Sequence, residues 1–204
     1  MFDLRPTIES ALVDFCNEFV KDPYLSYTEH GLHAQFYHEL STKLPKDQMT
    51  GVLENKTFNV IQKEYPTNSD LGKGQRQHWD IAIIDREGRP TQEPFYDHMP
   101  LVAAIEFGLN YPIAHMIEDI RRLCEDKNVN AGYIVHFFRL SNKWSGRDVK
   151  PKTSYLFTPA EAQKILLVSS KKNKKIKIYY CCVDLTKNEV SHPYLISYDG
   201  IDKL

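Results

Sequence analysis

Two acidic residues interrupt segments of the chain that are otherwise apolar. Asp80 lies in HWDIAIID and Glu106 lies in LVAAIEFGL. Both segments are typical of strands and are apolar on each pleat face, which predicts central strands buried on both sides. Because a buried carboxylate without a partner is costly, a divalent cation such as Mg²⁺, which prefers oxygen ligands, would make the pair tolerable. The alternative is structural: each acid lies at a strand end and faces solvent or a lysine.

Glu29 is a third candidate, at the start of a predicted helix entered through Ser26 or Thr28 as its cap. At about 100° per residue, Leu32 and Phe36 lie on the same stripe as Glu29, so its carboxylate is expected to point at the sheet. The segment from Ser26 to Glu29 also fits a capping box, in which Glu29 reaches back to the amide of Ser26. The two roles are compatible.

The elements that must position these acids follow a simple order. Apolar periodicity, caps and turn residues predict helices at 7–21, 29–44, 113–125 and 158–168, and strands at 57–65, 78–85, 101–109, 131–139 and 175–185. The polar, glycine-bearing segment 67–77 is expected to be a turn or loop. The order α-α-β-β-β-α-β-α-β predicts one α/β domain over 1–204, with a mixed central sheet and flanking helices.

This combination resembles the PD-(D/E)XK nuclease superfamily, which has the restriction-endonuclease-like fold. The resemblance depends on Glu29 in TEHGLHAQFYHEL, Asp80 in HWDIAII and Glu106 in AAIEFGL, followed by the helix HMIEDIRRLCED and the strand AGYIVHFFR. It covers about residues 26–185, and order and spacing carry it because the motifs are short. It implies an α-β-β-β-α-β core, to which the N-terminal helix and the C-terminal tail are appended.

The resemblance also implies a metal site. In that family the Asp and the Glu hold the metal ion, often with the helical Glu bound through water, so Asp80 and Glu106 would bind Mg²⁺ or Mn²⁺ and Glu29 would complete the catalytic set. The cation would polarise a phosphate oxygen, lower the pKa of a bound water and offset charge on the leaving 3′ oxygen. The implied function is a metal-dependent nuclease acting on DNA, and many relatives of this fold act as homodimers.

The sequence departs from the family motif at Gly108, where the family has a lysine two residues after the acid. That lysine orients or activates the attacking water and stabilises developing negative charge. Either another lysine replaces it, with Lys63 and Lys73 as candidates, or the protein has lost cleavage and binds nucleic acid or a protein partner. Glycine also allows a ligand or a neighbouring side chain to approach closely. A third hypothesis is an unrelated α/β domain in which the acids are structural.

Charge is distributed unevenly along the chain. Residues 1–100 carry 10 Lys/Arg and 16 Asp/Glu, a net charge of -6, whereas residues 101–204 carry 16 and 11, a net charge of +5. A basic region of this kind is compatible with a polyanion partner without requiring one, since a solvated lysine surface is the alternative. The side chains expected to contact backbone phosphates are Arg139, Lys143, Arg147, Lys171, Lys172 and Lys174.

Composition and motifs exclude several classes of protein. With 42% hydrophobic and 12% aromatic residues the chain is not intrinsically disordered as a whole. No run approaches the roughly 20 apolar residues of a membrane span, and the N-terminal MFDLRPTIES does not resemble a secretory signal. The four cysteines show no metal-binding spacing, which indicates reduced thiols and a cytoplasmic protein. The phosphate-binding motifs GxxxxGK[ST] and GxGxxG are absent from the sequence.

Overall fold

The computed structural model describes residues 3–70, 76–91, 98–141, 155–170, 175–187 and 192–204. Within these residues the helices are α1 (Arg5–Lys21), α2 (Glu29–Lys43), α3 (Ile113–Glu125) and α4 (Pro159–Ser169), with a 3₁₀ turn at Lys46–Gln48. The strands are β1 (Thr50–Leu53), β2 (Lys56–Asn59), β3 (Ile61–Asp70), β4 (Arg76–Ile84), β5 (Leu101–Leu109), β6 (Val129–Leu140), β7 (Ile176–Asp184), β8 (Tyr194–Ile196) and β9 (Ile201–Lys203). The predicted α/β class is confirmed.

Seven of the strands form a mixed sheet in the order β3-β4-β5-β6-β7-β8-β9. The first three form an antiparallel meander, β5, β6 and β7 run parallel to one another, and β8 and β9 return antiparallel. The parallel pairs need crossover connections, which contain α3 and α4. The predicted meander followed by helical crossovers is therefore observed, and β4 and β5 both lie inside the sheet.

Helices cover both faces of this sheet. The apolar side chains of α1 and α2 share one core cluster with one face, and those of α3 and α4 share a second cluster with the other face. Phe15 of α1 shows how the first layer is joined, because its ring lies 5.4 Å from that of Phe36 in α2 and 6.0 Å from that of Phe107 in β5. This layer holds α2 against the strand that carries Glu106.

The helix starts follow from their capping residues. Thr158 and Glu161 form the capping box of α4, and the Thr28 hydroxyl accepts a hydrogen bond from the amide of Gly31 at the start of α2. Of the two cap candidates for α2, Thr28 is therefore the N-cap. A side-chain acceptor at this position satisfies one of the amides that a helix start leaves unpaired.

The predicted strand boundaries are wrong at several places. The strand expected at 57–65 is split between β2 and β3, and β2 pairs with β1 in a separate two-stranded sheet. Much of the loop expected at 67–77 is strand, because β3 continues to Asp70 and β4 begins at Arg76. The polar composition of the ends of β3 and β4 predicts a loop, whereas pairing between the two strands extends the strands into this segment.

Arg139 lies in the core and not on a nucleic-acid surface. The side chain is 0% exposed, and its guanidinium donates hydrogen bonds to the carbonyl oxygens of Pro23 at 3.0 Å, Ser26 at 3.2 Å and Tyr27 at 3.0 Å. These bonds tie the connection between α1 and α2 to β6. The expectation that Arg139 contacts phosphate is therefore corrected, because a guanidinium committed to buried carbonyls is not accessible to a polyanion.

The other predicted phosphate contacts lie outside the described residues: Lys143, Arg147, Lys171, Lys172 and Lys174. The same holds for Lys73.

The four cysteines are thiols, as expected, and the cytoplasmic location stays a prediction. Within the described segments, no helix combines the length and apolar character needed to cross a membrane.

We expect Arg139→Lys to destabilise the fold because lysine keeps the charge but cannot serve three carbonyls with a planar fork. The expected loss is roughly 1–3 kcal/mol of unfolding free energy, measured by urea denaturation. Arg121→Lys is the matched control, since Arg121 pairs with Glu118 and Glu125 on the exposed side of α3. Equal effects of the two substitutions would contradict the anchoring role.

Candidate functional site

Asp80 and Glu106 meet where β4 and β5 are in register. The strands pair Ile81 with Ile105, and one residue further along Asp80 faces Glu106. Each carboxyl group lies close enough to shift the pKa of the other, and Oδ2 of Asp80 accepts a hydrogen bond of 2.7 Å from the amide of Phe107, the residue after Glu106. Glu106 is 3% exposed. The structure thus brings together the two acids that were predicted to share a cation.

Glu29 reaches the same end of β5 from the helical layer. Its Oε2 accepts a hydrogen bond of 3.2 Å from the amide of Leu109. Burial raises the pKa of Glu29, and the charge of Asp80 adds a smaller effect in the same direction. The capping box expected for Glu29 is replaced by this contact with the sheet, while Thr28 alone caps the helix. Glu29 therefore lies within electrostatic range of Asp80, but among the described residues the three acids do not form a group whose ligand atoms all lie within 4.8 Å of one another.

The pKa values of these carboxyl groups report how poorly the site tolerates negative charge. Burial, and to a smaller extent the charges of Glu64 and Asp119, raises the pKa of Asp80 to about 6, against the opposing hydrogen bond from Phe107. Burial raises the pKa of Glu106 well above its usual value, and the charge of Asp80 adds to the effect. Burial also raises the pKa of Glu29. Each group favours a proton or a cation over an isolated negative charge.

Helix α3 adds a second set of charged groups that the sequence interpretation missed. Nη2 of Arg122 lies 2.7 Å from Oε1 of Glu106 and 2.8 Å from Oδ1 of Asp119. His115 Nδ1 lies 3.0 Å from the other oxygen of Asp119. The guanidinium also lies over the ring of Trp79, 5.2 Å from its centroid. The available signal was the i, i+4, i+7 spacing of His115, Asp119 and Arg122, which places them on one helical face.

Carboxyl groups outnumber basic groups in this network. Four carboxyl groups and two basic groups take part: Glu29, Asp80, Glu106 and Asp119 against Arg122 and His115. Arg122 is divided between two acids, so it cannot neutralise the contact between Asp80 and Glu106 on its own. A set of carboxyl oxygens that outnumbers its basic partners fits a hard divalent cation such as Mg²⁺ or Mn²⁺.

Gly108 leaves space that a neighbouring histidine fills. A Cβ atom at position 108 would lie 2.8 Å from Nδ1 of His136, which is closer than real Cβ contacts. His136 is 1% exposed, and its ring packs 4.8 Å from those of Phe138 and Phe157. Burial lowers the pKa of His136 to about 3. A lysine at position 108 would therefore collide with this imidazole.

Lys63 is the described one of the two lysines considered as replacements. It pairs with Ile81, the residue after Asp80, and its side chain is exposed. Burial, followed by the charges of His30 and Lys63, lowers the pKa of His33 to about 4. His33 in turn places Nε2 3.6 Å from Oδ2 of Asp80. Lys63 thus lies on the strand next to β4, and its charge acts on His33, the neighbour of Asp80.

No protein-family model, no curated protein and no solved structure matches the chain. The resemblance to the PD-(D/E)XK superfamily accordingly stays a prediction. The functional assignment depends on the geometry and charge of the site.

We expect Asp80→Asn to stabilise the metal-free protein at pH 8 but not at pH 4. Because the pKa of Asp80 is raised in the folded state, the folded protein binds this proton more tightly than the unfolded chain does. The proton therefore stabilises the fold at low pH, and this stabilisation is lost as the pH rises through about 6. The expected gain at pH 8 in EDTA is roughly 1–3 kcal/mol by urea denaturation. Asp85→Asn, beyond the other end of β4, is the control, and the same pH-dependent gain there would contradict the interpretation.

We expect Gly108→Ala to cost roughly 1–3 kcal/mol, because the added methyl group meets the buried ring of His136. In a His136→Ala background the same substitution should cost much less. Urea denaturation of the four chains measures the coupling between the two positions. If Gly108→Ala costs the same unfolding free energy in the His136→Ala background, contact with His136 is not the reason that position 108 needs a glycine.

Proposed function

We propose that this protein is a metal-dependent phosphodiesterase, a nuclease of the PD-(D/E)XK type that acts on DNA. The observation that carries the proposal is the placement of the carboxyl groups of Asp80 and Glu106 side by side on neighbouring strands, where burial raises the pKa of both. Two such carboxyls need a shared proton or a cation, and a divalent cation is what phosphodiester hydrolysis uses to neutralise developing charge. The order of the three acids along the chain is the second support.

Asp80 and Glu106 would hold Mg²⁺ or Mn²⁺, with Glu29 beside them, and the bound cation supplies a polarised phosphate oxygen and a water of lowered pKa. Arg122 is a positioning residue, because its contacts with Glu106 and Asp119 fix the direction of the Glu106 carboxylate. Lys63 is the group proposed to provide the positive charge that the motif lysine gives in the family. Its exposed side chain is compatible with contact to a phosphate.

An exposed aromatic side chain at the site supports a nucleic-acid substrate. Tyr111 is 38% exposed, its ring stacks on His115 at 4.4 Å, and the charges of Glu29 and Asp80 raise its pKa. An aromatic face beside the carboxyl groups can stack on a base. The lysines and the arginine outside the described residues are the proposed contacts to the backbone phosphates.

A second candidate is a catalytically inactive member of the same fold that binds nucleic acid or a protein. The specific observation that favours it is the filled space at Gly108, since the motif lysine has no room there. This candidate keeps the charged site without turnover. It differs from the nuclease in a measurable way, because it predicts binding without cleavage.

Cleavage of supercoiled plasmid, single-stranded DNA and RNA with Mg²⁺ or Mn²⁺ tests the proposal. We expect nicking or degradation of DNA that EDTA abolishes and that Asp80→Asn and Glu106→Gln each reduce by about 100-fold or more, since each removes a ligand charge. Glu87→Gln is the matched control, because it removes an exposed carboxylate that lies beyond the other end of β4. This variant should cleave DNA like the wild type.

Salt-dependent gel-shift binding without cleavage by the folded wild-type protein would favour the inactive module instead. A folded wild-type protein that neither binds nor cleaves nucleic acid would contradict the nuclease and would leave the second candidate only as a protein-binding module. Cleavage unaffected by loss of Asp80 and Glu106 would contradict the assigned site.

A further inference from the structure

Two histidines and a glutamate form a second cluster of possible metal ligands. His30 and His33 belong to α2 and Glu64 belongs to β3, and one ligand atom from each lies within 4.8 Å of those of the other two. The set is distinct in chemistry from the carboxyl pair, because two of its three donors are imidazole nitrogens.

Helix and strand geometry bring these residues together. His30 and His33 are three residues apart, so their side chains lie on one face of α2, and their rings are 5.5 Å apart. Glu64 has φ 53° in β3, between the pairs that Lys63 and Tyr65 make with β4. A left-handed residue within a strand changes the direction of the chain locally and thereby presents Glu64 at this position.

The state of His33 points independently to a ligand. The side chain is 1% exposed, yet neither ring nitrogen has a hydrogen-bond partner among the described residues. The nearest acid, Asp80, has its Oδ2 3.6 Å from Nε2, which is too long for a hydrogen bond. Leaving a buried polar group unpaired is costly. Two unpaired nitrogens on a buried imidazole therefore indicate that His33 binds a ligand in addition to its side-chain neighbours.

We propose that His30, His33 and Glu64 bind one Zn²⁺ ion. Two imidazoles and one carboxylate form the donor set of a zinc site with one open position, whereas Mg²⁺ prefers oxygen donors alone. Tetrahedral ligands at about 2.1 Å from an ion lie roughly 3.4 Å apart, so donor atoms that lie within 4.8 Å of one another must close by about 1.4 Å at most. His30 and Glu64 are exposed and can make that adjustment, while His33 stays fixed against Phe107.

The ion would join α2 to β3 next to the carboxyl site. It would use a nitrogen of His33 that the fold leaves unpaired, and it would stabilise the folded state by mass action because the unfolded chain does not hold the three donors together. This inference does not depend on the proposed function, since it concerns other residues and another ion.

Titration of the full chain with Zn²⁺, and with Co²⁺ as a spectroscopic substitute, tests the site in the presence of excess Mg²⁺. The expected result is one equivalent of Zn²⁺ bound with a rise in melting temperature, and a Co²⁺ spectrum of low coordination number. His30→Ala and Glu64→Gln each change an exposed side chain and should weaken the binding of Zn²⁺ by about 100-fold or more, beyond the effect of an outer-shell residue.

His38→Ala is the matched control, because His38 is an exposed histidine on the same helix outside the cluster. It should bind Zn²⁺ like the wild type, and so should Glu106→Gln, which removes the proposed nuclease site. Zn²⁺ binding by Glu106→Gln without cleavage by the wild type would uphold this site and reject the nuclease. Absence of stoichiometric binding, or equal binding by His30→Ala, Glu64→Gln and the wild type, would overturn the zinc site.

Discussion

The buried contact between the carboxyl groups of Asp80 and Glu106 is the interaction on which the site depends. The register of β4 and β5 imposes it, because the pairing of Ile81 with Ile105 places the next residues of the two strands opposite each other. Two ionised carboxyl groups placed opposite each other inside a protein are unfavourable, and burial raises the pKa of both groups. The fold therefore maintains an arrangement that a proton or a bound cation would stabilise further, beyond the contact of Glu106 with Arg122.

The surrounding helices hold the carboxyl groups of this site in position without neutralising them. Arg122 contacts Glu106 but divides its guanidinium between Glu106 and Asp119, and it lies over Trp79, so its position is fixed from three sides. From the opposite face of the sheet, α2 contributes Glu29 through a contact with the end of β5. A buried ion pair of this kind contributes little net stability. Its effect is to hold carboxylate oxygens in one direction, which is the arrangement that a cation site requires.

The candidate acids were predictable from the sequence because each occupies a place that favours an apolar residue. Asp80 and Glu106 interrupt strands that are apolar on both faces, and Glu29 lies on the apolar stripe of its helix. His136 was not predictable, since its approach to Gly108 depends on the parallel register of β5 and β6. Arg139 was placed wrongly because a basic stretch of sequence does not reveal that one of its side chains bonds to buried carbonyls. Strands β8 and β9, of three residues each, are too short for a periodic signal.

Anomalous diffraction from a crystal grown with Mn²⁺ is the most direct measurement of the central claim. A shared cation predicts an anomalous peak between the carboxyl groups of Asp80 and Glu106, about 2.0–2.3 Å from an oxygen of each, with Arg122 still beside Glu106. If no peak lies there under saturating Mn²⁺, and the two carboxyl groups instead keep a shared proton, the pair is a structural feature and the phosphodiesterase assignment is wrong.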